Sequence, residues 1–134
     1  SSDVLLLLMM TAPETGGGLS ADEAQLLADY LDGGGRLLLL SSYTITGCPN
    51  LLRVLADYGM EPEPGMVLEG DSSRCYRYRN YLLPVVEDSD ITHAIYEAGY
   101  QVFAPNAHGI RQTAAVRSGV TLTQLLTTSQ ASYA

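Results

Sequence analysis

Two unbroken apolar runs constrain this chain more than any other feature. "DVLLLLMM" (Asp3 to Met10) and "RLLLLSS" (Arg36 to Ser42) each contain four consecutive leucines. A strand with one wet face alternates apolar and polar residues, whereas a continuous run predicts a central parallel strand covered on both faces. The stretch between them supplies the crossover. "TAPETGGG" breaks the first run at Pro13 and Gly16 to Gly18. "SADE" then reads as a capping box, with Ser20 as cap and Glu23 reaching back. Ala24, Leu27, Ala28 and Leu31 follow the spacing of one buried helix face, and Gly33 to Gly35 end the helix. Pro49 and Asn50 open a second helix with Leu51, Val54, Leu55 and Tyr58 on one stripe, and Gly59 closes it. "MVLEG" (Met66 to Gly70) is expected to be a third strand.

The first half thus predicts β-α-β-α-β, and right-handed crossovers would make it a parallel sheet with helices on both faces. The second half is less regular. Ser72 to Val86 reads as a long excursion. "DSDITHAIYEAG" predicts a short helix from about Ile91 to Gly99, and "YQVFA" a strand stopped by Pro105. "NAHGIRQTAAVRSG" reads as loop, and "VTLTQLLTTS" as a final strand. At 134 residues the chain is expected to be one α/β domain spanning 1–134. It opens almost directly on a strand with no basic leader, which suggests a domain excised from a longer membrane-associated protein. No apolar run reaches the roughly 18 residues of a membrane span.

Charge narrows the function. The formal net charge is −8, from 15 Asp and Glu against seven basic residues, all of them arginine. A surface that tracks phosphates needs the opposite sign, so nucleic acid is not an expected partner. "SRCYRYRNY" (Ser73 to Tyr81) is the local exception, with Arg74, Arg77 and Arg79 among Tyr76, Tyr78 and Tyr81. Arginine interleaved with tyrosine suits docking of a partner. The plainer expectation is an edge segment whose arginines pair with the surplus carboxylates.

In a doubly wound sheet, sites gather at the carboxyl ends of the strands. That edge would present Thr11 to Gly18, Ser41 to Cys48, Gly70 to Ser73 and Pro105 to Gly109. Its candidate ligand-binding residues are Thr11, Tyr43, Thr44, Asn106 and His108, which would suit a small sugar or peptide. A cysteine hydrolase or amidotransferase would use Cys48 with His93 or His108. Against that, Tyr43 to Gly47 separate Cys48 from the strand end, and Pro49 removes an N–H that could serve an oxyanion. "TGGGLS" could face an anion at a helix N-terminus, but Glu14, Asp22 and Glu23 put negative charge beside it. Strand ends offer no phospho-acceptor aspartate, since Asp3 lies at the wrong end of its strand. No GxGxxG follows the first strand, and no HxH or HxxxH spacing exists. Cys48 and Cys75 suggest unrelated thiols rather than a disulfide framework. No metal and no cofactor is therefore expected.

Several segments in order resemble a known family. "DVLLLLMMTAPETGGGLSADEAQLLADYLDGGGRLLLL" is similar to the start of the auxiliary domain of gliding-motility-type ABC transport systems. That family reads as a strand, an "LS-x-x-E" helix start, a helix ending in "GG", and "R/K-L-L-L-L". "CPNLLRVLADYGMEPEPGMVLEGD" resembles its next block, and "DSDITHAI" and "GVTLTQLLTTSQAS" its later turn and strand. The resemblance implies a three-layer flavodoxin-like or class I glutamine-amidotransferase-like fold without amidotransferase chemistry. It implies a non-catalytic binding or docking module on the extracytoplasmic face of the cell membrane, partnered by the permease and ATPase subunits of an ABC transporter. The membrane would be met only through flanking segments. The "TGGG" loop and the "RCYRYR" insert depart from the family pattern. In the docking reading, Arg74, Tyr76, Arg77, Tyr78 and Arg79 form the partner surface.

Overall fold

The computed structural model describes residues 5–10 and 18–134. They belong to two compact units, one formed by the chain up to Glu63 with Ile110–Val120, the other by Pro64–Gly109 with Thr121–Ala134.

In the first unit the leucine runs become β1 (Leu5–Met10) and β2 (Arg36–Ser41). They pair in parallel, in register from Leu5↔Arg36 to Met10↔Ser41. The crossover is α1 (Ala21–Asp32), and its capping box forms as the sequence requires. The Ser20 N–H donates to Glu23 Oε2 at 2.8 Å, and the Glu23 N–H donates to Ser20 Oγ at 3.2 Å. From the last turn of α1, Tyr30 reaches past the helix end. Its hydroxyl donates to the Arg36 carbonyl at 2.9 Å and accepts the Arg36 N–H at 3.1 Å. Gly35 permits this, because a Cβ there would sit 2.5 Å from the Tyr30 ring.

A 3-10 turn (Tyr43–Gly47) leads into α2 (Pro49–Asp57), which Pro49 opens. Leu51, Val54 and Leu55 of α2 join Ala24, Leu27, Ile45 and Cys48 in one buried cluster, with Leu8, Leu37 and Leu39 against it. The Asn50 side-chain amide fixes the approach to α1 by donating to the Leu19 carbonyl at 2.9 Å. After α2 the chain turns at Gly59 into β3 (Met60–Pro62). Gly59 has φ +76°, and a Cβ there would meet Val116 Cγ2 at 2.7 Å. β3 pairs antiparallel with β7 (Ile110–Gln112), with Met60 opposite Gln112.

The second unit is built from very short pieces. β4 (Tyr81–Leu82) pairs with β6 (Ala104–Pro105), and β5 (Val85–Val86) with β8 (Leu126–Thr127), both antiparallel. α3 (His93–Ala98) ends on Gly99 at φ +66°. Leu82 is its one fully buried large apolar residue among those described, while Glu69 and Thr92 are buried polar groups. Side-chain hydrogen bonds accordingly carry much of the order. Asn80 Nδ2 donates to Asn106 Oδ1 at 2.8 Å, Thr127 Oγ1 donates to Glu87 Oε1 at 2.6 Å, and the Thr92 hydroxyl donates to the Glu87 carbonyl.

This architecture corrects the expected three-layer, mainly parallel, flavodoxin-like or amidotransferase-like sheet. Among the described residues, parallel pairing is confined to β1 and β2, and the other three pairs are antiparallel. Met66–Gly70 forms no strand and contributes one isolated bridge, Leu68 to Tyr133. The third strand lies earlier, at β3. Of "YQVFA" only Ala104 enters a strand, and "VTLTQLLTTS" is reduced to Leu126–Thr127. Conversely, the stretch read as loop from Asn106 contains β7. Prolines account for part of this. Pro62, Pro84 and Pro105 lack the N–H that a continuing ladder needs, so pairs beside them stay short. Nor is β2 covered on both faces. Its exposure alternates, and Leu38 and Leu40 remain 45% and 47% exposed. Among the described residues, no helix is long and apolar enough to cross a membrane.

Candidate functional site

The residues assigned to a strand-end cleft are divided between the two units, and the parallel sheet expected to align them does not form among the described residues. Thr11 lies outside the described residues. Tyr43 and Thr44 belong to the first unit, in the 3-10 turn after β2, where Thr44 Oγ1 and Ser42 Oγ are 2.8 Å apart. Asn106 and His108 belong to the second. Asn106 sits at φ +54°, a conformation asparagine tolerates. His108 Nδ1 lies 2.8 Å from the Gly109 carbonyl oxygen.

Cys48 is completely buried at the start of α2, and burial pushes its thiol pKa up. A nucleophilic cysteine needs the opposite environment, electropositive and partly open. His93 and His108 belong to the other unit. His93 is engaged locally, with Nδ1 2.8 Å from Asp88 and Nε2 3.5 Å from Glu97. Cys75 is a free, half-buried thiol, as Cys48 is a free, buried one. Among the described residues no three His, Cys, Asp or Glu side chains gather as a metal site would require.

The segment from Arg74 to Arg79 is different: its residues come together as one ridge, half-buried at Arg74 and Cys75 and exposed from Tyr76 to Arg79. Asp71 builds its base by accepting the Ser73 hydroxyl at 2.7 Å and the Ser73 N–H at 2.8 Å, which opens a 3-10 turn (Ser72–Arg74). The Ser73 hydroxyl first, then the Ser73 N–H and the Arg74 charge, hold the Asp71 carboxyl below its ordinary pKa despite some desolvation. Cys75 bridges antiparallel to Leu82, the Tyr76 N–H donates to the Tyr81 carbonyl at 2.8 Å, and the Leu83 N–H to the Arg74 carbonyl at 2.8 Å. These bonds pinch the chain into a hairpin whose tip is Tyr76–Arg79.

The tip is a tight turn with an unusual centre. The Tyr78 N–H donates to the Tyr76 carbonyl at 2.7 Å, closing a three-residue turn around Arg77. Arg77 takes φ +64°, the rare strained form of the γ-turn, in which a side chain crowds the backbone. Its guanidinium lies over the Tyr76 ring, 5.3 Å from the centroid. Tyr78 meets Tyr81 edge-on at 5.2 Å, and Tyr81 meets Phe103 edge-on at 5.6 Å. Arg79 Nη1 donates to the Tyr133 hydroxyl at 3.2 Å, while its carbonyl accepts the Glu69 N–H at 2.8 Å. Tyr76 and Tyr78 remain 53% and 62% exposed.

Arg74 acts on the Asp71 carboxyl through its charge, yet the ridge arginines form no ion pair. Arg111 pairs with Glu61 at 2.7 Å, and Arg117 with Asp32 at 2.9 Å. No carboxylate lies within ion-pair distance of Arg74, Arg77 or Arg79 among the described residues. The expected pairing with surplus acids therefore does not occur among the described residues. Sequence reading missed Phe103, Tyr133 and Glu69 as supports. The chain's one phenylalanine was a faint signal for the first, but the other two meet the ridge only through tertiary pairing.

The fold and ridge define a two-unit α/β protein with one short parallel pair and an exposed basic-aromatic hairpin. No protein-family model matches the chain, and no curated protein matches it at a significant level. Among solved structures it is similar to one described as "mmIFT52 N-terminal domain", with a TM-score of 0.65 and 19% identity over 95% of this chain and 57% of that one. The chain thus spans little more than half the length of that structure. At this identity the likeness concerns the fold alone. It gives the chain that domain's fold in place of the flavodoxin-like one.

Proposed function

We propose that this chain is a non-catalytic docking module whose partner-facing surface is the ridge from Arg74 to Arg79. The observation that carries the reading is Arg77. It is exposed, lacks a carboxylate partner and is held at φ +64° at a hairpin tip, in a chain with twice as many acids as bases. Strained backbone persists where the surrounding structure imposes it, and such positions cluster at functional sites. Arginine and tyrosine are the residues that most often dominate binding energy at interfaces. The buried Cys48 weighs against the hydrolase alternative. The sequence resemblance supplies the setting in this proposal: a domain on the extracytoplasmic face, docked to the permease of a transport system whose ATPase works on the other side of the membrane.

Photo-crosslinking tests the reading. A photoreactive amino acid replaces Tyr78 in the parent protein, or Leu26, which is 69% exposed on α1. The expected result is a discrete adduct with the permease subunit from position 78 and none from position 26. No adduct from 78, or equal adducts from both positions, overturns it.

A further inference from the structure

Resting on that docking reading, we infer that the ridge takes a carboxylate-rich peptide segment of its partner. Acidic side chains would meet Arg77 and Arg79, and the rings of Tyr76 and Tyr78 would carry the apolar contact.

Donor supply comes first. A guanidinium offers five N–H groups in a planar fork that matches a carboxylate. Arg79 commits one nitrogen to the Tyr133 hydroxyl, and Arg77 is fixed over the Tyr76 ring rather than in an ion pair. Both keep donor edges for a visitor. The Tyr133 bond and the ring stacking also restrict the two side chains before binding, which reduces the ordering cost of forming a complex.

Charge contrast selects the partner. The chain carries 15 acidic side chains, so most of its surface repels an acidic peptide. The segment from Ser72 to Val86 has three arginines and no acid. The ridge is therefore the densest run of positive charge an acidic segment can meet, and such charge complementarity gives specificity and speed rather than affinity alone. A nucleic acid or an anionic membrane would instead require a broad basic surface. Here Arg111 and Arg117, outside the ridge, are already paired to acids.

Ring placement adds the second element. The edge-to-face series Tyr78, Tyr81 and Phe103 braces Tyr78 while leaving it 62% exposed. A braced, exposed aromatic beside a guanidinium contributes apolar contact at small entropic cost.

Fluorescence anisotropy with the 134-residue chain tests this inference. The probes are a labelled peptide of alternating glutamate and tyrosine, its lysine–tyrosine counterpart, and an oligothymidylate of equal negative charge. The variants are Arg77→Glu with Arg79→Glu, the same pair changed to lysine, and Arg53→Glu as a charge control on α2. Circular dichroism and melting confirm that each is folded. The acidic peptide is expected to bind and the lysine peptide not. The double glutamate variant should bind about tenfold or more weakly, an effect of about 1.4 kcal/mol or more. The lysine pair should fall between it and the parent chain, and Arg53→Glu should match the parent chain. Binding should also weaken as salt rises from about 50 to about 200 mM. Equal weakening by Arg53→Glu, equal binding of oligothymidylate, or no binding of the acidic peptide overturns the inference. If the peptide fails while the position-78 adduct persists, only the partner's acidic character is refuted. If the adduct itself is absent, the docking reading falls.

Discussion

Glu69 and Ser129 lie 60 residues apart in sequence and share one buried carboxylate. Ser129 donates its N–H to Glu69 Oε2 at 3.2 Å and its hydroxyl to Oε1, and the Asp71 N–H donates to Oε1 at 3.0 Å. Burial pushes the Glu69 pKa up, but the Ser129 hydroxyl and the N–H groups of Asp71, Ser129 and Gly70 together hold it below its ordinary value. A carboxyl whose pKa is depressed on folding stabilises the protein above its unfolded pKa of about 4.3, and that contribution is lost as pH falls through the folded value. Glu69→Gln should cost about 1–3 kcal/mol at neutral pH, because the amide turns a donor toward N–H groups. The gap between variant and parent should narrow below about pH 4. Urea melts of both proteins from neutral to acid pH check this. A gap that stays constant with pH would refute the carboxylate's role.

Strain at Arg77 makes a prediction of opposite sign. Arg77→Gly removes a left-handed penalty of about 1–2 kcal/mol and adds about 0.4–1 kcal/mol of unfolded-state entropy. The variant should be as stable as the parent or up to about 1.6 kcal/mol more stable, although it loses a docking residue. Arg77→Val, which is β-branched, should lose about 1–2 kcal/mol. Matching losses in the two variants, measured by chemical denaturation, would show that the turn is not strained.

Cys48 should resist alkylation. Its thiol is buried and its pKa lies above the ordinary value, so little thiolate exists at neutral pH. Under native conditions an iodoacetamide time course with peptide mapping should label Cys75 first, with Cys48 labelled only on unfolding. Rapid native modification of Cys48 would revive the hydrolase alternative.

Gly59 and Gly33 should respond differently to alanine. Gly59 has φ +76°, and a methyl added there would meet Val116 Cγ2 at 2.7 Å, whereas Gly33 has φ −76° and its added methyl would find the nearest backbone oxygen at 3.4 Å. Gly59→Ala should cost about 2–3 kcal/mol through left-handed strain and overpacking. Gly33→Ala should be neutral or gain a few tenths of a kcal/mol. Thermal melts of the two variants decide it.

Local chemistry was readable and pairing was not. Ser20 with Glu23, Pro49 at a helix start and Gly99 at a helix end each act within a few residues, so α1, α2 and, to within two residues, the start of α3 were legible from sequence alone. An unbroken leucine run, by contrast, looks the same whether one or two faces are covered, and Leu38 and Leu40 show that here only one is. Strands as short as Val85–Val86 or Leu126–Thr127 carry no periodicity to detect. At the ridge, the residue types were plain from the sequence. Their lack of ion pairs was not, because it depends on what the fold brings within reach of Arg77 and Arg79.

The interleaving of the two units bears on how the chain is made. β3 has no partner until β7, about 50 residues later, has emerged from the ribosome. Glu69 waits longer still, for Ser129. Each unit is therefore completed by a segment synthesised after the other has begun, and no single proteolytic cut could release either one whole.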